Sequence, residues 1–365
     1  MALQKATLNL YVYSGEFGVD KPATPNYIIN KSVLQGETNI IFEISELVSD
    51  YINIEFTGDF NNITQSAWAE WAIYKYDENG DLISETPDEG SGLAYEGYGY
   101  FEDGINPNFV TDVQVMQSNT IMYVPTGELA RVPLYTGVGG ATRVEYLLGG
   151  QVISAEDYNS TTTAVTVDTT LYSADNFSDL TCDVTELTEV GSGQTSEASS
   201  LGSPDKIVVT NNNGTTTTID IEYLSECKYT PVNIAFINKF GVVQDVWFFK
   251  RRDDGINVSK EQYKSNILTN GVNQLSYSVN QAQSTMFNVE SNKNIRLNTG
   301  FVREDWYEVI KQIMLTRNAW IKENGTYYPV MPKADSLQKK TSVNNKLIDY
   351  SLEFDYAFDT INNIR

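Results

Sequence analysis

Asn-Gly steps at Asn79-Gly80, Asn213-Gly214 and Asn324-Gly325 each lie between two short apolar runs. Asn-Gly supplies the positive φ angles that tight hairpin turns demand, so this punctuation steers the chain toward antiparallel β structure. The runs are rich in Tyr, Thr, Val and Ile, the residues that suit a pleated, half-buried surface. Residues 6–15 alternate Leu8, Leu10 and Val12 against Asn9, Tyr11 and Tyr13, the period of two expected of a strand with one buried face. Near the end, Ile348, Tyr350, Leu352, Phe354 and Tyr356 alternate with Leu347, Asp349, Ser351, Glu353 and Asp355 in the same way. Hairpins are expected over 67–85, 205–224 and 318–332, and strands over 230–241 and 243–252.

One segment departs from this period. In residues 303–318, Trp306, Val309, Ile310, Ile313 and Met314 recur at helical spacing, with Glu304 and Asp305 at the start and Arg317 at the end. That is one apolar face of an α-helix with charges matched to its macrodipole, predicted over 303–316. The expected fold is therefore mainly β with one main amphipathic helix, an α+β chain of β-sandwich domains. A length of 365 residues exceeds what one core usually serves. We divide it into an N-terminal β domain (1–125), a Thr/Ser-rich β domain or insertion (126–230) and a C-terminal helix-plus-β-sandwich (231–365). The middle unit carries a nearly apolar-free loop at 191–204. Residues 38–59 read as strands at both ends around a short helical turn, and 94–104 as a further strand closed by a turn at 102–107.

The chain has no histidine. Ser–His and Cys–His nucleophile pairs, histidine bases and nearly all ordinary zinc sites are thereby excluded. Cys182 and Cys227 are too few for a zinc site, and their separation matches no redox motif. Phosphate-loop, dinucleotide, zinc-helix and G-x-S-x-G signatures are absent. Asp77, Asn79 and Asp81 alternate as in a calcium loop, but strand-like flanks and missing ligands make a plain turn the reading. No catalytic residue, cofactor or metal ligand is assigned, and a non-enzymatic protein is expected.

Net charge is −23. Such acidity disfavours duplex nucleic acid and anionic membranes, and no run approaches the length of a membrane span. No sequence-specific nucleic-acid binding and no membrane insertion are expected; the N-terminus shows no secretory pattern. "WFFKRR" (247–252) sets three cations beside three aromatics, and the favoured reading is a strand followed by a loop paired with carboxylates such as Asp253 and Asp254. The stretch "AYEGYGYFEDG" (94–104) crowds aromatics among glycines. Tyr95, Tyr98, Tyr100 and Phe101, with Trp247 and Phe249, are the candidate interface or glycan contacts.

Residues 237–263, with "N-x-x-G", an aromatic strand and "I-x-V-x-x-x-x-Y", resemble tail and virion structural proteins of bacteriophages, notably those infecting Bacteroidetes. "IIFEISELVSDYI", the tryptophan-rich hairpin and "YGYFEDGIN" look like the same group. The ending, 306–332 with 346–358, resembles the helix-plus-β-sandwich block of tail-tube and baseplate proteins. The resemblance spans both ends but not the middle. It implies a virion subunit, made in the host cytoplasm, in a tail, baseplate or neck-proximal ring. The implied partners are other virion proteins and copies of itself in a symmetric ring. The alternative is a receptor- or carbohydrate-binding β-sandwich at the tail tip; a carboxylate-dependent hydrolase is a third reading.

Overall fold

A computed structural model describes residues 2–15, 17–60, 65–107, 114–128, 130–135, 141–159, 178–182, 204–211, 213–271, 274–333, 336–340 and 348–361. The fold is mainly β with one principal helix, as the alternation predicts. The first sheet holds β1 (Lys5–Tyr13), β2 (Tyr27–Ser32), β3 (Ser66–Tyr76) and β4 (Asp88–Tyr95), antiparallel in the order β2-β1-β3-β4. Leu8, Leu10 and Val12 are buried along β1, so its period-two pattern reports its core face. Residues 38–59 do not form strands at their ends. A five-residue helix, α1 (Ser45–Ser49), occupies the centre. Phe42, Ile44, Leu47 and Ile52 pack from this segment onto Leu8, Leu10 and Val12. The segment covers a face of the sheet and does not extend its ladder.

The turn at Asn79-Gly80 forms, with Gly80 at φ 86. Asp77 is buried, and its Oδ1 accepts the N–H groups of Asn79 (2.9 Å) and Asp81 (3.0 Å). The carboxylate thus serves the turn itself. The returning strand, however, starts later than expected: only Tyr76 and Leu82 bridge before β4 begins at Asp88. Ser84 and Thr86 bond to each other in the interval, and Pro87 has no N–H for a ladder.

The middle of the chain supplies β5 (Gln114–Val115), β6 (Ile121–Pro125), β7 (Ala130–Tyr135), β8 (Ala141–Leu148), β9 (Gln151–Asn159), β10 (Ser178–Cys182), β11 (Lys206–Thr210) and β12 (Thr216–Leu224). They form two sheets, β10-β7-β5 and β6-β12-β11-β8-β9. Since β6 pairs in parallel with β12, residues 121–125 join the middle sheet and not the N-terminal one. The β11–β12 hairpin turns as predicted, held by Asn211 Oδ1, which accepts from the backbone of Asn213 and Thr215. The loop predicted at 191–204 lies, except for Pro204, outside the described residues.

The C-terminal part contains β13 (Val232–Ile237), β14 (Val243–Phe248), β15 (Asp253–Lys264), β16 (Thr269–Asn270), β17 (Leu275–Ser276) and β18 (Ser284–Asn298). After a 3₁₀ turn at Glu304–Trp306 come α2 (Tyr307–Leu315), β19 (Ala319–Glu323), β20 (Thr326–Pro332) and β21 (Ser351–Asp359). Seven strands make one sheet in the order β14-β13-β19-β20-β21-β18-β15. Its two edge strands, β14 and β15, are consecutive in the chain and joined only by residues 249–252. Such a link reaches at most roughly 18 Å, whereas seven strands laid flat span about 29 Å. The sheet must therefore curl. Its curvature brings Phe248 of β14 within 6.2 Å, ring to ring, of Phe354 of β21, and lets the Lys250 N–H bond Asn298 O. Helix α2 and the turn before it fill the concavity with Trp306, Val309, Ile310 and Ile313, all buried against Phe236, Ile295, Leu352 and Phe354.

Candidate functional site

The stretch 94–104 is a strand only as far as Tyr95. Beyond it the chain leaves the first sheet, and Phe101–Asp103 form a 3₁₀ turn. The extended segment between lies against the C-terminal part. The Tyr98 N–H donates to Lys239 O, and a Cβ added at Gly97 would meet that same carbonyl at 2.8 Å. The two backbones approach so closely because Gly97, and Gly241 at φ 82 beside Glu96, carry no side chain. The space over Gly97 is filled by the β13–β14 turn, and that over Gly99 by Pro107.

The candidate tyrosines do not share a face. Tyr95 is half-buried, edge-on to Tyr135. Tyr98 and Tyr100 stack edge to face on each other, and the Tyr100 hydroxyl donates to Glu308 Oε1 on α2 at 2.7 Å. Lys311 Nζ sits 3.4 Å from the centre of the Tyr100 ring, and Arg317 pairs with Glu96. Burial, then the bond to Glu308, pushes the Tyr100 phenol far above its ordinary range. These rings join the first sheet to α2. Phe101 alone of the stretch stands free, fully exposed. Trp247 and Phe249 are core residues, 7% and 2% exposed, so neither is offered to a partner or a sugar. The cations after them pair locally: Arg251 with Asp253 (2.6 Å), Arg252 with Asp254 and Glu323, and Lys250 with Glu226.

Behind the tyrosines runs a buried amide cluster that composition did not signal. Gln312 lies on the apolar face of α2, fully buried. Its Nε2 donates to Glu308 and its Oε1 accepts the Lys239 N–H at 3.0 Å. Ser118 Oγ lies 2.7 Å from both Gln312 Oε1 and Gln244 Oε1. Asn238 Nδ2 donates to Gln244 Oε1 and to Met116 O. The cluster thus connects α2, the β13–β14 hairpin and the segment between β5 and β6. A second buried polar link, Arg131 to Asp245 at 2.9 Å, ties β7 to β14, and Asn233 also bonds Asp245. Each group finds a partner, which such burial requires.

A long exposed ribbon is formed by β15 and β18. The ladder runs from Asp253–Arg296 to Lys264–Ser284 with a bulge at Glu261/Gln262. β21 supports β18 only from Asn292 to Asn298, so residues 284–291 and their β15 partners leave the sheet. At about 3.4 Å per residue the ribbon projects on the order of 27 Å, and β16–β17 pair beyond it. All of β15 is exposed. Its register puts Ile256, Val258, Lys260 and Lys264 on the face shared with Val289, Met286 and Lys293, and that face continues the core line of Ile295 and Leu297. The other face carries Asn257, Ser259, Asn288, Glu290 and Asn292. Residues 265–289 contain no Asp, Glu, Lys or Arg, yet Leu268, Leu275, Tyr277, Val279, Met286 and Phe287 are 50–88% exposed there.

At the foot of the ribbon an open cavity of about 210 Å³ is lined by Arg252, Asp254, Ile256, Lys293, Glu323 and Tyr356. The Tyr356 hydroxyl donates to Glu323 at 2.8 Å, and Arg252 is already satisfied by two carboxylates. Among the described residues no cluster of three or more Cys, Asp or Glu is arranged to hold a metal, and no helix is long and apolar enough to cross a membrane. Cys227 is an exposed free thiol; the side chain of Cys182 lies outside the described residues. Comparison with family models, with curated proteins and with solved structures finds no match to this chain.

Proposed function

We propose that this protein is a non-enzymatic virion subunit, part of a phage tail, baseplate or neck-proximal ring that assembles through β-rich surfaces. The observation that carries the reading is the ribbon. A two-stranded ribbon is marginal alone in water, and this one presents Ile256, Val258, Met286 and Phe287 on an exposed, open-edged frame. Charge depletion with exposed aromatics is the composition of an interface core, not of a solvated loop. The resemblance of both chain ends to phage virion proteins points the same way. Less favours the glycan reading, because the Tyr100 hydroxyl is bonded to Glu308, Trp247 and Phe249 are buried, and Phe101 alone of its candidates is fully exposed.

Mass photometry over a concentration series, with negative-stain imaging of the same samples, tests the assignment. Closed symmetric oligomers are expected, alone or on addition of virion lysate fractions. A monomer that joins no particle and enters no ring would reverse it.

A further inference from the structure

Lys260, Lys264 and Lys293 on the apolar face of the ribbon are exposed and, among the described residues, make no ion pair. From 255 to 295 the charges are three lysines against two glutamates, in a chain of net charge −23. The ribbon is thus a local reversal of sign. The opposite extreme is the corner after β3. Residues 76–130 contain no lysine or arginine. Glu78, Asp81, Glu85 and Glu89 are exposed there and, among the described residues, form no ion pair, and Leu82 is 44% exposed beside them. Glu78 and Asp81 lie in the turn after β3, Glu85 in the link that follows, and Glu89 in β4, the last strand of its sheet.

We propose that the ribbon face bearing Ile256, Val258, Met286 and the three lysines docks on the 77–91 corner of a second copy of this chain. This rests on the scaffold reading above and names the surfaces it uses. Apolar area supplies the attraction, while lysines facing Glu78, Asp81, Glu85 and Glu89 set the register and reject wrong pairings. The occupant is a second copy because the complementary charge lies on the chain itself, at a site the ribbon's own sheet does not contain. Ribbon and corner are different surfaces, so each copy gives one and receives one. Such a head-to-tail contact propagates, and closes into a ring when the rotation per subunit permits.

The test uses the full chain in three variants, followed by mass photometry. One carries Lys260→Glu, Lys264→Glu and Lys293→Glu; one carries Glu78→Lys, Asp81→Lys, Glu85→Lys and Glu89→Lys; the third carries all seven. All seven positions are exposed, so melting temperatures close to the parent's are expected. Each single-surface variant is expected to raise the concentration at half-assembly by roughly tenfold or more, and the combined variant to restore it. Parent assembly should also weaken between 0.1 and 1 M salt, as the screening length falls from about 10 Å to about 3 Å. If the parent assembles and ribbon reversal leaves its midpoint unchanged, this inference is overturned and the scaffold reading stands. A parent that stays monomeric at its highest soluble concentration also overturns it. Incorporation into virion particles then decides the scaffold reading separately.

Discussion

Glu308 Oε1 accepts from both Tyr100 and Gln312, so a single carboxylate on α2 holds the outgoing end of the first sheet and the buried amide cluster together. Removing the hydroxyl with Tyr100→Phe deletes one charge-assisted bond while keeping the ring under Lys311. A loss of about 1–2 kcal/mol in denaturant unfolding is expected. Gln312→Ala should cost more, about 2–3 kcal/mol, since it removes the amide's bond to Glu308 and leaves the Lys239 N–H without its acceptor, while Ser118 keeps Gln244. Arg131→Met leaves the Asp245 carboxylate buried with only an amide partner, and a loss of about 3 kcal/mol or more is expected. Gln312 shows why this cluster escaped the sequence. It falls on the core face of a helix that Val309, Ile310 and Ile313 announce plainly, and periodicity treats one polar residue there as noise. Aromatic crowding at 95–101 was visible, but not its direction. Whether a tyrosine faces outward depends on residues more than two hundred positions away, which no local pattern encodes.

At the scale of elements, the strands that read clearly were those with a two-residue period or a short apolar run bounded by turn residues, the latter being β13 and β14, which are buried along their whole length. β1, β13, β14, β19, β20 and the stretch from Ile348 to Tyr356 lie where alternation and the Asn324-Gly325 turn put them, with Asn324 at φ 51 and Gly325 at φ 82. β2 and the ribbon did not read. Along β15, Ile256 and Val258 are followed on the same face by Lys260, Gln262 and Lys264, so the hydrophobic signal fades after two residues. Its clearest trace is the uncharged run from Ser265 to Val289. Because β21 leaves the outer part of β18 unsupported, the ribbon is separable from the core. Replacing residues 265–283 by a two-residue Asn-Gly turn should leave the melting temperature close to the parent's. The same change should lower the assembled fraction in mass photometry, because exposed Leu275, Tyr277 and Val279 go with it.

Across the whole molecule, three tyrosines share one arrangement, two of them within a sheet and one between the first sheet and α2. Tyr13, Tyr100 and Tyr356 are each desolvated and each donate to a carboxylate (Glu70, Glu308 and Glu323), which raises all three phenols. A phenol more basic in the folded than in the unfolded state contributes stability that is complete below about pH 10 and lost as pH rises beyond it. Absorbance at the tyrosinate band should therefore rise in two stages on alkaline titration. Exposed rings ionise first, and the buried set ionises only with the loss of near-ultraviolet circular dichroism. Asp349 works in the other direction. Asn298 and Lys340 hold its carboxyl below the usual range, so its contribution is present at neutral pH and lost on acidification below about pH 4.

One strand, β18, runs without interruption from the packed interior out to the tip of the ribbon. Tension applied along the ribbon is carried by both of its strands, and β18 passes its share to β21 inside the sheet. The ladders to β21 and β15 lie across that pull and share it side by side, so they yield together or not at all. A tug at right angles meets them one rung at a time. The ribbon is stiff as a rope is stiff, lengthwise, and supple from the side.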